Sequence, residues 1–65
     1  MLENYVYFIY NFNGDIYEST EAFDDTYRAK KRECIANGEP FSRQAITSTG
    51  KVVDEVYCYG AWIRA

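Results

Sequence analysis

Asn4-Tyr5-Val6-Tyr7-Phe8-Ile9-Tyr10-Asn11-Phe12-Asn13-Gly14-Asp15-Ile16-Tyr17-Glu18 is the stretch on which the fold turns. Asn4 to Phe12 is an almost unbroken aromatic and β-branched run, which is strand composition, and Asp15 to Glu18 resumes it after Asn13-Gly14. A two-residue type I′ turn needs positive φ at both central positions, and Asn and Gly supply it at low cost. The stretch therefore predicts a hairpin that pairs Phe12 with Asp15 and Tyr10 with Tyr17. That register places Val6, Phe8, Tyr10, Phe12 and Tyr17 on one face and Tyr5, Tyr7, Ile9, Asn11, Ile16 and Glu18 on the other. The first set is the more apolar and is assigned to the core.

Beyond the hairpin, Ser19 or Thr20 offers an N-cap. Glu21, Asp24 and Asp25 sit where the positive end of a helix dipole favours carboxylates, and Arg28, Lys30, Lys31 and Arg32 fall in the second half. Asn37-Gly38 is a left-handed stop and Pro40 prevents continuation, so a helix is expected from about Glu21 to Ala36. At 100° per residue Phe23, Tyr27 and Cys34 share its buried stripe, with Asp24, Arg28 and Lys31 opposite. Ser42 to Ser48 and Val52 to Tyr59 read as a second hairpin about Thr49-Gly50. A bulged turn there pairs Ile46 with Val52 and Arg43 with Glu55, both favourable, and is preferred to a two-residue turn. Gly60 either bulges or ends the last strand, leaving Ala61, Trp62 and Ile63 to extend it or cover the core. Residues 1–65 thus read as a single small α+β domain of two layers: a four-stranded antiparallel β-sheet with one helix packed on one face (ββαββ), and with Phe8, Phe23 and Tyr27 in the core.

The chemistry-bearing inventory is thin. The 65 residues include no histidine, the commonest general base and metal ligand. Cys34 falls on the buried stripe, and Cys34 and Cys58 are read as small core residues. The first 13 residues carry no basic region or small-residue cleavage site of a secretory signal, which points to a reducing, cytoplasmic compartment and to unbridged thiols. Asp24-Asp25 and Asp54-Glu55 are adjacent acids whose side chains point apart, so neither pair forms a metal site alone. Gly14, Gly38, Gly50 and Gly60 are dispersed at turns and make no phosphate-cradling loop. No apolar run approaches the ~20 residues that span a bilayer. No enzyme, cofactor, metal or membrane role is expected.

Charge and tyrosine content point towards binding. Met1 to Tyr27 holds six acids (Glu3, Asp15, Glu18, Glu21, Asp24, Asp25) and no base. The helix dipole accounts for the last three; Glu3, Asp15 and Glu18 either build a negative surface for a basic partner or keep a tyrosine-rich chain dispersed. Tyrosine, seven of 65 residues, gives a large contact area with only two χ angles to freeze, and a two-layer domain leaves some of Tyr5, Tyr7, Tyr57 and Tyr59 on the surface. Tyr5, Tyr7, Asp15 and Glu18 are therefore the candidate contact residues for a protein partner with a basic surface. Nucleic acid is the weaker alternative. It would use Arg28, Lys31 and Arg32 with surface tyrosines, but a net charge of −3 lacks the basic footprint such binding needs.

The layout, a short acidic hairpin–helix–hairpin chain that begins at Met1 and lacks enzyme motifs, is similar to small phage-encoded proteins that block host machinery, anti-CRISPR proteins among them. The resemblance is architectural, spans the whole chain and carries over no functional residue. It implies a stoichiometric inhibitor that occludes a basic surface of a larger host complex. The competing class is a small nucleic-acid-binding regulator; a third is an interaction subunit with a purely structural role.

Overall fold

The computed structural model describes residues 4–65. Strands β1 (Tyr5–Phe12) and β2 (Asp15–Ser19) form the first hairpin, helix α1 (Asp25–Asn37) follows, and β3 (Phe41–Thr47), β4 (Val52–Cys58) and β5 (Ala61–Arg64) complete the chain. All five strands join one antiparallel sheet in the order β2-β1-β3-β4-β5. The helix carries the chain from the edge strand β2 across β1 to its other side. The class is α+β as expected, but the sheet has five strands rather than four, giving ββαβββ.

The first hairpin has the register its turn dictates, with Phe12 opposite Asp15 and Tyr10 opposite Tyr17, and Asn13 and Gly14 both have positive φ (53° and 97°). The fifth strand arises from a similar device. Tyr59 (φ 51°) and Gly60 (φ 82°) make a two-residue turn that pairs Cys58 with Ala61 and Tyr57 with Trp62. Tyr is an unusual choice at a left-handed position, where Asn or Asp ordinarily stands, so its turn does not announce itself in the sequence. At the β3–β4 turn Gly50 N–H donates to Thr47 O (3.0 Å) and Gly50 is left-handed; Ile46 pairs with Val52 and Arg43 with Glu55, as the bulged reading requires.

Helix α1 begins four residues later than expected. Tyr17 Oη and Ser19 Oγ donate to Asp24 Oδ2 (2.6 and 2.7 Å), and Asp24 Oδ1 accepts from Tyr27 N–H (2.7 Å), which makes Asp24 the N-cap. Ahead of it Tyr10 Oη donates to the Ala22 carbonyl (3.0 Å), holding residues 20–23 as a bent lead-in. Phe23 therefore lies outside the helical phase and is 61% exposed, which corrects its placement in the core. At the other end, left-handed Gly38 closes the helix with its N–H on Ile35 O (3.2 Å).

The core lies between α1 and one sheet face. Phe8, Tyr10, Phe12, Tyr27, Cys34, Phe41 and Ala45 are buried there, with Tyr17, Tyr57 and Trp62 half-buried at its margin. Tyr10 is its centre, 4.8 Å from the Tyr27 ring and stacked between Phe8 (5.8 Å) and Phe12 (5.5 Å), and burial pushes its hydroxyl up to about 12. On the same face Arg43 Nε donates to Glu55 Oε1 (2.7 Å) in a buried pair, with the guanidinium 4.4 Å from the Trp62 ring and 4.9 Å from Phe8. Among the described residues no buried side-chain polar atom lacks a partner.

A bulge separates Tyr5 from Tyr7: Tyr5 pairs with Thr47 but Tyr7 with Ile46. The extra residue, Val6, is exposed, and Tyr5 is returned to the helix side, where it packs on the core and donates to Glu55 (3.4 Å). Strict alternation places both residues on the opposite faces; the inserted residue reverses the phase of Tyr5.

Candidate interaction surface

With α1 on one side only, the other face of the five-stranded sheet is uncovered. Alternation along each strand and the pairing register place Ile16 and Glu18 (β2), Tyr7, Ile9 and Asn11 (β1), Ser42, Gln44 and Ile46 (β3), Val52, Asp54 and Val56 (β4) and Ile63 (β5) on it. Its apolar side chains are those a strand selects for packing, yet Ile16, Val52 and Ile63 are each about half exposed. At its centre Ile9, Asn11, Ile16, Gln44, Asp54 and Val56 line a shallow hollow of about 360 Å³. Gln44 Nε2 donates to Asp54 Oδ1 (3.3 Å) across the β3–β4 ladder.

The charges on this face have one sign. Glu18 and Asp54 stand on it, and no Lys or Arg occupies a paired strand position of this face among the described residues. Tyr7 Oη donates to Glu18 Oε1, and this hydrogen bond, with a smaller contribution from burial, holds the Tyr7 hydroxyl above its ordinary 10.0. The bond fixes a half-buried tyrosine ring beside a carboxylate, so less rotamer freedom remains to be lost on contact with a partner.

Of the four residues singled out from the sequence, the structure brings Tyr7 and Glu18 together and separates the other two from them. Tyr5 is on the helix side because of the bulge. Asp15 is also on the helix side, opposite Phe12, and bonds Lys30 of α1, which raises the Lys30 pKa. Glu3, the remaining acid of the proposed negative surface, lies outside the described residues. The β3–β5 half of the open face was missed. Its signal was present in the alternation Val52-Asp54-Val56 and in the pairing of Ile46 with Val52, once both are placed beside β1.

The basic residues of α1 form a separate patch on the far side of the molecule. Arg28 makes an exposed pair with Asp25 (3.4 Å), and Lys31 Nζ lies over the rings of Tyr57 (4.7 Å) and Tyr27 (5.6 Å). With Arg32 they flank a groove lined by Phe23, Tyr27, Ile35 and Ala36. Both cysteines are free. Cys34 is buried, and burial, with the nearby Glu39 and Glu33, pushes its thiol up from 9.0, the opposite of an activated nucleophile. Among the described residues no three His, Cys, Asp or Glu side chains gather as metal ligands, and no helix is long and apolar enough to cross a membrane.

Comparison of the chain with protein-family models, with curated proteins and with solved structures finds no match.

Proposed function

We propose that this chain is a non-catalytic protein-binding module that docks its uncovered sheet face on a basic, partly apolar surface of a larger partner and acts by occluding it, as a stoichiometric inhibitor. One observation carries the reading: one face of a five-stranded sheet displays isoleucines, valines and an anchored tyrosine around Glu18 and Asp54, with no base at its paired positions among the described residues. Desolvating the aliphatic patch and the Tyr7 ring supplies affinity, while the two carboxylates steer encounter with a basic partner and disfavour acidic ones. Small size suits such a role, because a rigid two-layer domain presents a flat surface at little conformational cost. The absence of histidine from the whole sequence supports binding over catalysis.

The test is affinity capture by the wild-type chain and by folded variants, at low and high salt, with protein and nucleic acid both analysed. Ile16→Lys and Val52→Lys alter half-exposed positions of the open face; Ile35→Glu alters the helix patch. The proposal expects a protein that binds the wild-type chain one to one by mass, is lost from both lysine variants and is retained by Ile35→Glu. Capture unchanged by the lysine variants overturns it. Salt-sensitive recovery of nucleic acid that requires Arg28 and Arg32 establishes the regulator alternative in its place.

A further inference from the structure

Helix α1 turns a second surface to solvent, unlike the sheet face in both shape and sign. Tyr27, Lys31 and Ile35 recur at four-residue intervals and so line up along one side of the helix, and Phe23 of the non-helical lead-in meets the Tyr27 end of that line. Tyr27 forms the floor, its ring meeting that of Phe23 edge-on (6.0 Å). Phe23 (61% exposed) and Ile35 (54% exposed) stand at the two ends of the stripe. Arg28 and Arg32 run beside it and Lys31 crosses its middle, held over the tyrosine rings. Lys30, the other base of the run, is directed to the opposite flank and is neutralised by Asp15. The stripe is an apolar groove with a basic rim in a chain whose net charge is −3, and among the described residues Asp25 is the single acid paired with that rim.

We infer that this stripe is a second docking surface, which takes an acidic amphipathic helix from a protein partner. The dimensions fit: Tyr27 to Ile35 spans ~12 Å at ~1.5 Å per residue, and the Phe23 ring, 6.0 Å from that of Tyr27, lengthens the stripe at its N-terminal end. An incoming helix with apolar residues every three or four positions fills the groove between Phe23 and Ile35, laying its ridge along that of α1. Carboxylates on its flanks then meet Arg28 and Arg32, which run along the edge, and Lys31, whose ammonium crosses the middle. Nucleic acid fits less well, because the groove floor between the bases is aliphatic and edge-on aromatic and presents no open ring face for a base: the Tyr27 ring is 1% exposed and lies beneath Lys31. Two surfaces of opposite preference on opposite sides of one small domain make the chain a bridge between a basic and an acidic partner.

The experiment uses three fluorescein-labelled probes of equal length with the full chain: a Leu/Glu amphipathic helical peptide, its Leu/Lys counterpart and single-stranded oligouridine RNA. Anisotropy gives affinity. Trp62, the sole tryptophan, reports occupancy of the groove, since its Nε1–H donates to Tyr27 Oη (3.1 Å) at the groove floor. The inference expects the Glu peptide alone to bind and to change Trp62 emission. Ile35→Glu and Arg32→Glu, both at exposed positions, should each weaken it ~10-fold or more, whereas Val52→Lys on the sheet face leaves it unchanged. Equal affinity for the two peptides, no binding of the Glu peptide, or RNA binding that Arg32→Glu abolishes each overturns it. So does sedimentation showing that the free chain dimerises through the stripe, as judged by dissociation in Ile35→Glu. Failure here leaves the sheet-face proposal standing, because Ile16→Lys and Val52→Lys test that face separately.

Discussion

Truncating Tyr27 to Ala should unfold most of the molecule, whereas truncating Phe23 should barely disturb it. Tyr27 is 1% exposed, lies 4.8 Å from the Tyr10 ring and 6.1 Å from Phe12, and accepts the Trp62 indole N–H at 3.1 Å. Removing a ring from such a site costs ~3–5 kcal/mol for lost transfer and cavity formation. A single core of this size supplies only ~3–5 kcal/mol in all, so Tyr27→Ala is left with almost no net stability. Tyr27→Phe keeps the packing and loses only the acceptor for Trp62, about 1 kcal/mol. For a domain of this length that lowers Tm by ~4–8 °C. Phe23, 61% exposed, contributes an edge contact to Tyr27 and a minority of its transfer energy, so Phe23→Ala costs about 1 kcal/mol or less. Urea melts followed by far-ultraviolet circular dichroism and Trp62 fluorescence give all three values. A Phe23→Ala variant as destabilised as Tyr27→Ala would refute the assigned helix phase and the non-helical lead-in.

Further outcomes follow from other contacts. Breaking the buried Arg43–Glu55 pair by Glu55→Ala should cost ~3–5 kcal/mol by stranding a guanidinium, whereas the double change Arg43→Met with Glu55→Met costs far less, and a double-mutant cycle in urea measures the difference. Burial opposes ionisation of Asp24, but hydrogen bonds from Tyr17, Ser19 and Tyr27 N–H outweigh it and hold the carboxyl below its ordinary 3.8. Its contribution is therefore complete above that pH and is lost as acid titrates the folded carboxylate, and acid melts of Asp24→Asn should lack this component. The raised Tyr10 hydroxyl acts in the opposite sense: the unfolded chain loses its proton first, so stability falls as pH rises from 10.0 towards about 12, a loss that Tyr10→Phe should reduce in alkaline melts. Tyr59, fully exposed at φ 51°, should be replaceable by Asn with a gain of about 1 kcal/mol in chemical denaturation, because Asn tolerates that backbone conformation.

The sequence was most legible where one residue pair forces a backbone geometry. Asn13-Gly14 sets the register of β1 and β2, and from it the burial of Phe8, Tyr10 and Phe12. Gly38 ends the helix for the same reason. Legibility failed where the deciding interaction is tertiary. The helix start depends on Tyr17 and Ser19 reaching Asp24 and on Tyr10 reaching the Ala22 carbonyl, contacts between segments that no local pattern records. The bulge at Val6 depends on how β1 meets β3, and its consequence reaches Tyr5. Tyr59-Gly60 turns the chain with a residue that turn chemistry does not favour, which hid β5. For the candidate surface, Tyr7 and Glu18 were found because they lie inside the first hairpin, downstream of the bulge. Asp15 was grouped with them as a turn-tip charge although alternation from Tyr17 places it on the helix side. Asp54 was missed as part of the surface because its alignment with Glu18, across Ile9 and Gln44, exists only after β3 is inserted between β1 and β4.

The sheet-face claim is tested most directly by mapping amide chemical shifts of the ¹⁵N-labelled chain as its captured, purified partner is added to one equivalent. The account predicts that shifts and broadening concentrate at Tyr7, Ile9, Ile16, Glu18, Ile46, Val52 and Asp54 and saturate at one to one, and that Glu18→Gln slows association and flattens its salt dependence. Perturbations confined to Phe23 through Ala36, with the sheet-face amides unmoved, would contradict it.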